Sequence, residues 1–126
     1  MKKLLLFITM LFSTSVFAGY SGTNKLITSA ELLKNQQDYV VLDVRSADEF
    51  AEGHIAGAIN IPHYAVLDEV ERLKALDKPL VVHCRSGARA TKAENMLMKN
   101  GVTNILHLQG DMLDWVDKGL PLTVTK

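Results

Sequence analysis

Two short runs constrain the fold of this chain more than anything else in it: Tyr39-Val40-Val41-Leu42-Asp43-Val44 and Leu80-Val81-Val82. Successive side chains of a strand point to opposite faces, so a strand with one wet face alternates apolar and polar residues. A strand that is apolar almost throughout is buried on both faces. That is the condition of a parallel sheet covered by helices.

The stretches between such runs carry helix signals. Thr28-Ser29-Ala30-Glu31 and Ser46-Ala47-Asp48-Glu49 both have capping-box spacing. They predict a helix over 29–34 and a short one ending near 52–53. Leu67, Val70, Leu73 and Leu76 fall on one face of a helix predicted over 64–76. Ala90, Ala93 and Leu97 mark the inner face of a helix over 88–100, with Gly101 as its stop. A last helix is predicted over 112–118. Strands over 26–27, 58–61 and 102–108 complete the alternation. The expectation is one α/β domain spanning 19–126, with a five-stranded, mostly parallel sheet and helices on both faces. Ligand sites of such sheets lie beyond the carboxyl ends of the strands. Here those ends carry Asp43-Val44-Arg45 and His83-Cys84-Arg85.

Residues 1–18 are set apart from this pattern. Lys2 and Lys3 precede an apolar run from Leu4 to Phe12, and a tail of mostly small residues ends at Ala18. This is the order of a secretory signal peptide. The run is shorter than the roughly 20 apolar residues of a spanning helix, so no stable membrane insertion is expected after cleavage. A bacterial export route to the periplasm is expected, an oxidising compartment. Acidic and basic residues balance at 14 each, with no charge run, and nothing points to nucleic-acid binding.

Cys84 is the only cysteine, so it has no internal disulfide partner. A lone cysteine is ordinarily a small buried hydrophobe. The surroundings of this one argue otherwise. It follows an apolar strand, precedes a helix and has Arg85 and Arg89 within five positions. Loop N–H groups and the helix dipole favour an anion there, conditions that lower a thiol pKa and make sulfur nucleophilic. Both arginines also admit a reading as solvated surface charges. Asp43 and Arg45 admit a reading as a structural pair tying the strand end to a loop. His54, His63, His83 and His107 lack metal-ligand spacing, and no Gly-rich phosphate motif follows a strand, so neither a metal nor a cofactor is expected.

The loop Cys84-Arg85-Ser86-Gly87-Ala88-Arg89 resembles the active-site loop of the rhodanese family of sulfurtransferases. Leu42-Asp43-Val44-Arg45, Glu49-Phe50, Gly53-His54-Ile55, Gly57-Ala58 and Asn60-Ile61-Pro62 resemble the family's first signature. Leu108-Gln109-Gly110-Asp111, Trp115 and Gly119-Leu120-Pro121 resemble its closing segment. The similarity runs from about residue 25 to 122 and, with the signal peptide, is to exported single-domain members. It implies that Cys84 takes sulfane sulfur from thiosulfate or a similar small anionic donor. The resulting persulfide would pass it to a thiophilic acceptor, cyanide or a thiol. Arg85, Ser86, Gly87, Ala88 and Arg89 would bind the donor, with Asp43 and Arg45 in support. Related phosphatases place five residues between cysteine and arginine. Here four intervene, a loop sized for sulfur rather than a phosphoryl group. A non-catalytic rhodanese-like binding or sulfur-carrier module and a cysteine-dependent phosphatase remain as alternatives. Where the family often has Gly-Gly, this chain has Gly110-Asp111, an acidic residue expected to alter the turn or repel an anionic donor.

Overall fold

The computed structural model describes residues 21–125; the segment read as a signal peptide lies outside the described residues. In chain order the elements are β1 (Lys25–Ile27), α1 (Ser29–Lys34), β2 (Val40–Asp43), α2 (Ala47–Glu52), β3 (Ile59–Asn60), α3 (Val70–Lys74), β4 (Leu80–His83), α4 (Ala88–Lys99), β5 (Ile105–Leu108) and α5 (Asp111–Asp117). The strands form one sheet in the order β1-β5-β4-β2-β3. Every pair is parallel, so the sheet is parallel throughout rather than mostly so.

The two apolar runs became its central neighbours, β2 and β4, in register Val41 to Val81 and Asp43 to His83. Burial on both faces follows the alternation of side chains. Leu80, Val82 and Cys84 face one core with Leu42, Val44, Leu73, Ala90, Ala93 and Leu97. Val41 and Val81 face the other with Ile27, Leu32, Ile55, Leu108 and Trp115. Leu42, Val82 and Leu97 are fully buried, each stabilising the fold by about 1.5–3 kcal/mol relative to exposure.

Local signals set the helix starts. Thr28 caps α1, its Oγ1 accepting from Glu31 N. Ser46 and Glu49 close a complete capping box on α2. The helix expected over 64–76 divides instead. His63–Glu69 is 3₁₀ and only Val70–Lys74 is α-helical. Three residues per turn in the first part brings Val66 inward and leaves Leu67, expected on the inner face, about half exposed.

Crossovers from β2 lead outward to β3 on one side, and from β4 to β5 on the other. The order of strands therefore reverses between β2 and β4. The carboxyl ends at that reversal, Asp43-Val44-Arg45 and His83-Cys84-Arg85, form the natural place for a site.

Candidate active site

Cys84 leaves β4 as part of the buried core, 1% exposed. The chain then folds over its sulfur. Gly87 has φ 120 and ψ −26, a conformation open to glycine, and its N–H donates to Cys84 Sγ at 3.0 Å. α4 starts at the next residue with no side-chain cap, so its first-turn N–H groups are left for the site. Two influences oppose each other at the sulfur. Burial, the larger, pushes the Cys84 thiol up, and the Asp111 carboxylate adds to the rise. Backbone N–H groups of Ala90, Gly87 and Ser86 pull it down. The net direction is upward, against the depressed thiol expected from the arginines and the helix end. Desolvation of a buried thiolate outweighs them here.

The loop is also held from behind by α5. Its first-turn N–H groups meet loop carbonyls: Met112 N donates to Cys84 O and Leu113 N to Arg85 O, each at 3.1 Å. Asp111 Oδ1 accepts from Cys84 N at 2.9 Å. Gly110 makes the turn into α5 at φ 82, where a Cβ would stand 2.3 Å from Asp114 Cβ. Asp111 follows at φ 54, a left-handed conformation that aspartate tolerates. It is 1% exposed and turned in towards the backbone of Cys84, not out towards an incoming donor.

The arginines divide in their surroundings. Arg89 donates to both oxygens of Glu49, at 2.6 and 3.0 Å. That guanidinium, through its hydrogen bond first, holds the Glu49 carboxyl at about 2. Arg89 thus faces the site largely neutralised. Arg85 is exposed and has no carboxylate partner among the described residues. It borders an open cleft of about 360 Å³ lined also by Arg45, Glu49 and the α5 residues Met112, Leu113 and Val116. Ser86 and Ala88 are exposed, while Gly87 is buried.

Asp43 and Arg45 form a buried bidentate pair, with Arg45 Nη2 2.7 Å from Asp43 Oδ2. The same nitrogen donates to Gly53 O at 2.7 Å, tying the β2 end to the loop after α2. Asn60 Nδ2 bridges the carbonyls of Asp43 and Arg45, both at 3.0 Å. His83 lies under the site. Its Nδ1 is 3.0 Å from Cys84 O, and its Nε2 has no hydrogen-bond partner and sits 3.6 Å from Asp43 Oδ2. Burial pushes this imidazole down, against the nearby Asp43 charge, so it is neutral at pH 7. His54 packs as a structural residue, its ring stacked on Phe50 at 3.7 Å.

Glu49, Asn60 and the network behind Asp111 were not singled out as site residues from sequence. The capping-box spacing at Ser46 marked Glu49 for the helix start, and the family resemblance included Glu49-Phe50, but neither assigned it to the site.

The whole domain matches known proteins. The model of the rhodanese-like domain matches residues 28–118. A sulfurtransferase of Allochromatium vinosum is 31% identical over 93 residues, covering 74% of this chain and 86% of the relative. A chloroplastic thiosulfate sulfurtransferase of Arabidopsis thaliana is 33% identical over 91 residues, covering 64% of this chain and 76% of the relative. The crystal structure of a rhodanese-related protein of Thermoplasma volcanium superposes with a TM-score of 0.66 at 35% identity, covering 79% of this chain and 98% of that one. With its five parallel strands, its cysteine at the β4 end and a loop closed over the sulfur, this chain belongs to the rhodanese-like domain family, a family with members that are named sulfurtransferases.

Proposed function

We propose that this protein is a thiosulfate sulfurtransferase working through a Cys84 persulfide. The observation that carries the reading is the Gly87 N–H on Cys84 Sγ at 3.0 Å, in a loop that wraps a single buried sulfur. The Cys84 thiolate attacks the outer sulfur of thiosulfate, or of a similar small anionic donor. A new S–S bond forms, the S–S bond of the donor breaks, and sulfite leaves with its electron pair. The persulfide anion left on Cys84 then surrenders its outer sulfur to cyanide or a thiol, and the thiolate returns. This is double displacement through a covalent intermediate. The loop N–H groups serve the anionic sulfur as an oxyanion hole serves oxygen. Arg85, exposed at the cleft, meets the donor's charge.

Intact-mass measurement tests this. Incubation with thiosulfate should add one sulfur atom to the wild-type protein and none to Cys84→Ser. Cyanide should then remove it as thiocyanate. No mass gain and no thiocyanate would rule the reading out, and hydrolysis of an aryl phosphate instead would move the protein to the phosphatases.

We further propose that residues 1–18 direct export and that the domain works in the periplasm, as their basic, apolar and small-residue order supports. Recovery of a chain beginning at Gly19 from the periplasmic fraction is the expected result. A full-length chain in the cytoplasmic fraction is the contrary one.

A further inference from the structure

A buried charged network that sulfur transfer does not require lies behind Cys84. Asp111 Oδ1 accepts from Cys84 N at 2.9 Å, and Asp111 Oδ2 meets His107 Nε2 at 2.9 Å. His107 Nδ1 meets Glu94 Oε2 at 2.7 Å. Asn24 Nδ2 donates to Glu94 Oε1 at 2.8 Å. Asp111, His107 and Glu94 are each no more than 1% exposed. They come from α5, β5 and α4, so three elements meet in one chain of hydrogen bonds that ends on the nucleophile's own backbone.

Two carboxylates on one imidazole define its charge. Burial opposes the imidazolium, but the hydrogen bonds to Asp111 and Glu94 prevail and raise His107 to about 9. The imidazolium of His107 therefore sits between the carboxyl groups of Asp111 and Glu94 at neutral pH. The end nearest the sulfur is Asp111. Among the described residues, His83 of β4 feels Asp111, and Arg89 of α4 feels Cys84 with the opposite sign.

We propose that Asp111 is a positioning residue for Cys84: clamped by His107 and Glu94, its carboxylate fixes the Cys84 N–H and holds a buried negative charge beside the sulfur. This charge works against the loop N–H groups. A thiolate that is less stabilised is the stronger nucleophile for its ionised fraction. If sulfur transfer is the function, the loaded persulfide is likewise held less tightly and passes on more readily. That benefit rests on the proposed function, whereas the effect on the thiol does not.

The test is the pH profile of Cys84 alkylation by iodoacetamide in the wild-type protein and in Asp111→Asn. Asparagine keeps an oxygen for Cys84 N and offers an N–H to a neutral His107 ring, so the hydrogen bonds survive while the carboxylate next to Cys84 goes together with the imidazolium charge behind it. The alkylation midpoint should fall, by on the order of half a pH unit, because the carboxylate lost is nearer the sulfur than the imidazolium lost with it. An unchanged or higher midpoint in the folded variant overturns the proposal. A second measurement needs no variant. Wild-type Cys84 is converted by iodoacetate to its carboxymethyl form or by iodoacetamide to its neutral carbamidomethyl form, and the His107 ring is titrated by NMR. Coupling through Asp111 requires a higher His107 midpoint with the added charge, by on the order of half a pH unit. Equal midpoints overturn it. Neither readout depends on thiosulfate, so failure here and failure of sulfur transfer are separate results.

Discussion

Arg89 and Glu49 form a two-pronged ion pair at the rim of the cysteine loop, with N–O distances of 2.6 and 3.0 Å. The pair joins the first turn of α4 to the first turn of α2, and Glu49 Oε1 also accepts from Ser46. One carboxylate therefore serves a helix cap and a site arginine together.

Glu49→Gln should separate those duties. It frees Arg89 for an anionic donor and is expected to lower the KM for thiosulfate. It should also cost about 1 kcal/mol of stability at pH 7, the scale of a partly exposed pair. The Glu49 carboxyl is held at about 2, below its ordinary value of 4.5. Its stabilisation is present above the ordinary value and is lost as pH falls through about 2. Thermal melts of the two proteins should therefore converge between pH 4.5 and 2. A gap that stays undiminished from pH 4.5 to 2 would show that the carboxylate charge is not its source.

Gly87→Ala should weaken both loop and chemistry. At φ 120 a side chain is strained, by about 1–3 kcal/mol. Relief of that strain turns the N–H off Cys84 Sγ, and loss of one such donor is expected to lower kcat by about a hundredfold. Chemical denaturation and steady-state thiocyanate production measure the two effects. Turnover equal to the wild type would mean that the Gly87 N–H does not serve the reacting sulfur.

Asp43→Asn should leave the Arg45 guanidinium buried without its counter-charge. Removing one partner of such a pair costs about 3–5 kcal/mol. Urea unfolding should show that loss. A change under 1 kcal/mol would show that Gly53 O and solvent suffice for Arg45.

His107 gives the protein an alkaline limit. Its imidazole is raised from 6.5 to about 9 in the folded state. A raised group stabilises fully below its unfolded value and loses that contribution as pH rises through its folded value. Stability should fall between pH 6.5 and 9, and the fall should be absent in a folded His107→Gln variant. Denaturation midpoints across that range, alike in both proteins, would contradict it.

Much of this architecture is written locally. The strand Leu80–His83 was legible from its run Leu80-Val81-Val82, because a strand buried on both faces is apolar without alternation. Ser46 and Glu49 mark their helix start through bonds only three residues apart. Cys84 stood out by its place between a strand and a helix. The division of 63–74 into 3₁₀ and α was not legible, since apolar spacing alone does not separate three residues per turn from 3.6 at Leu67.

The sequence by itself determined the alternation of strands and helices, the parallel sheet and the position of its one cysteine, since each follows from neighbours along the chain. Only the tertiary structure decided what surrounds the sulfur. Arg89 is matched by Glu49 from 40 residues away, and Asp111 comes from 27 residues away to hold the amide of Cys84. His107 and Glu94 fix that carboxylate from two further elements. Charge and burial at a site are sums over groups brought together by packing, and packing is not encoded in any local spacing. Hence a thiol flanked by two arginines in sequence is, in the folded protein, raised by burial and by a carboxylate beside it.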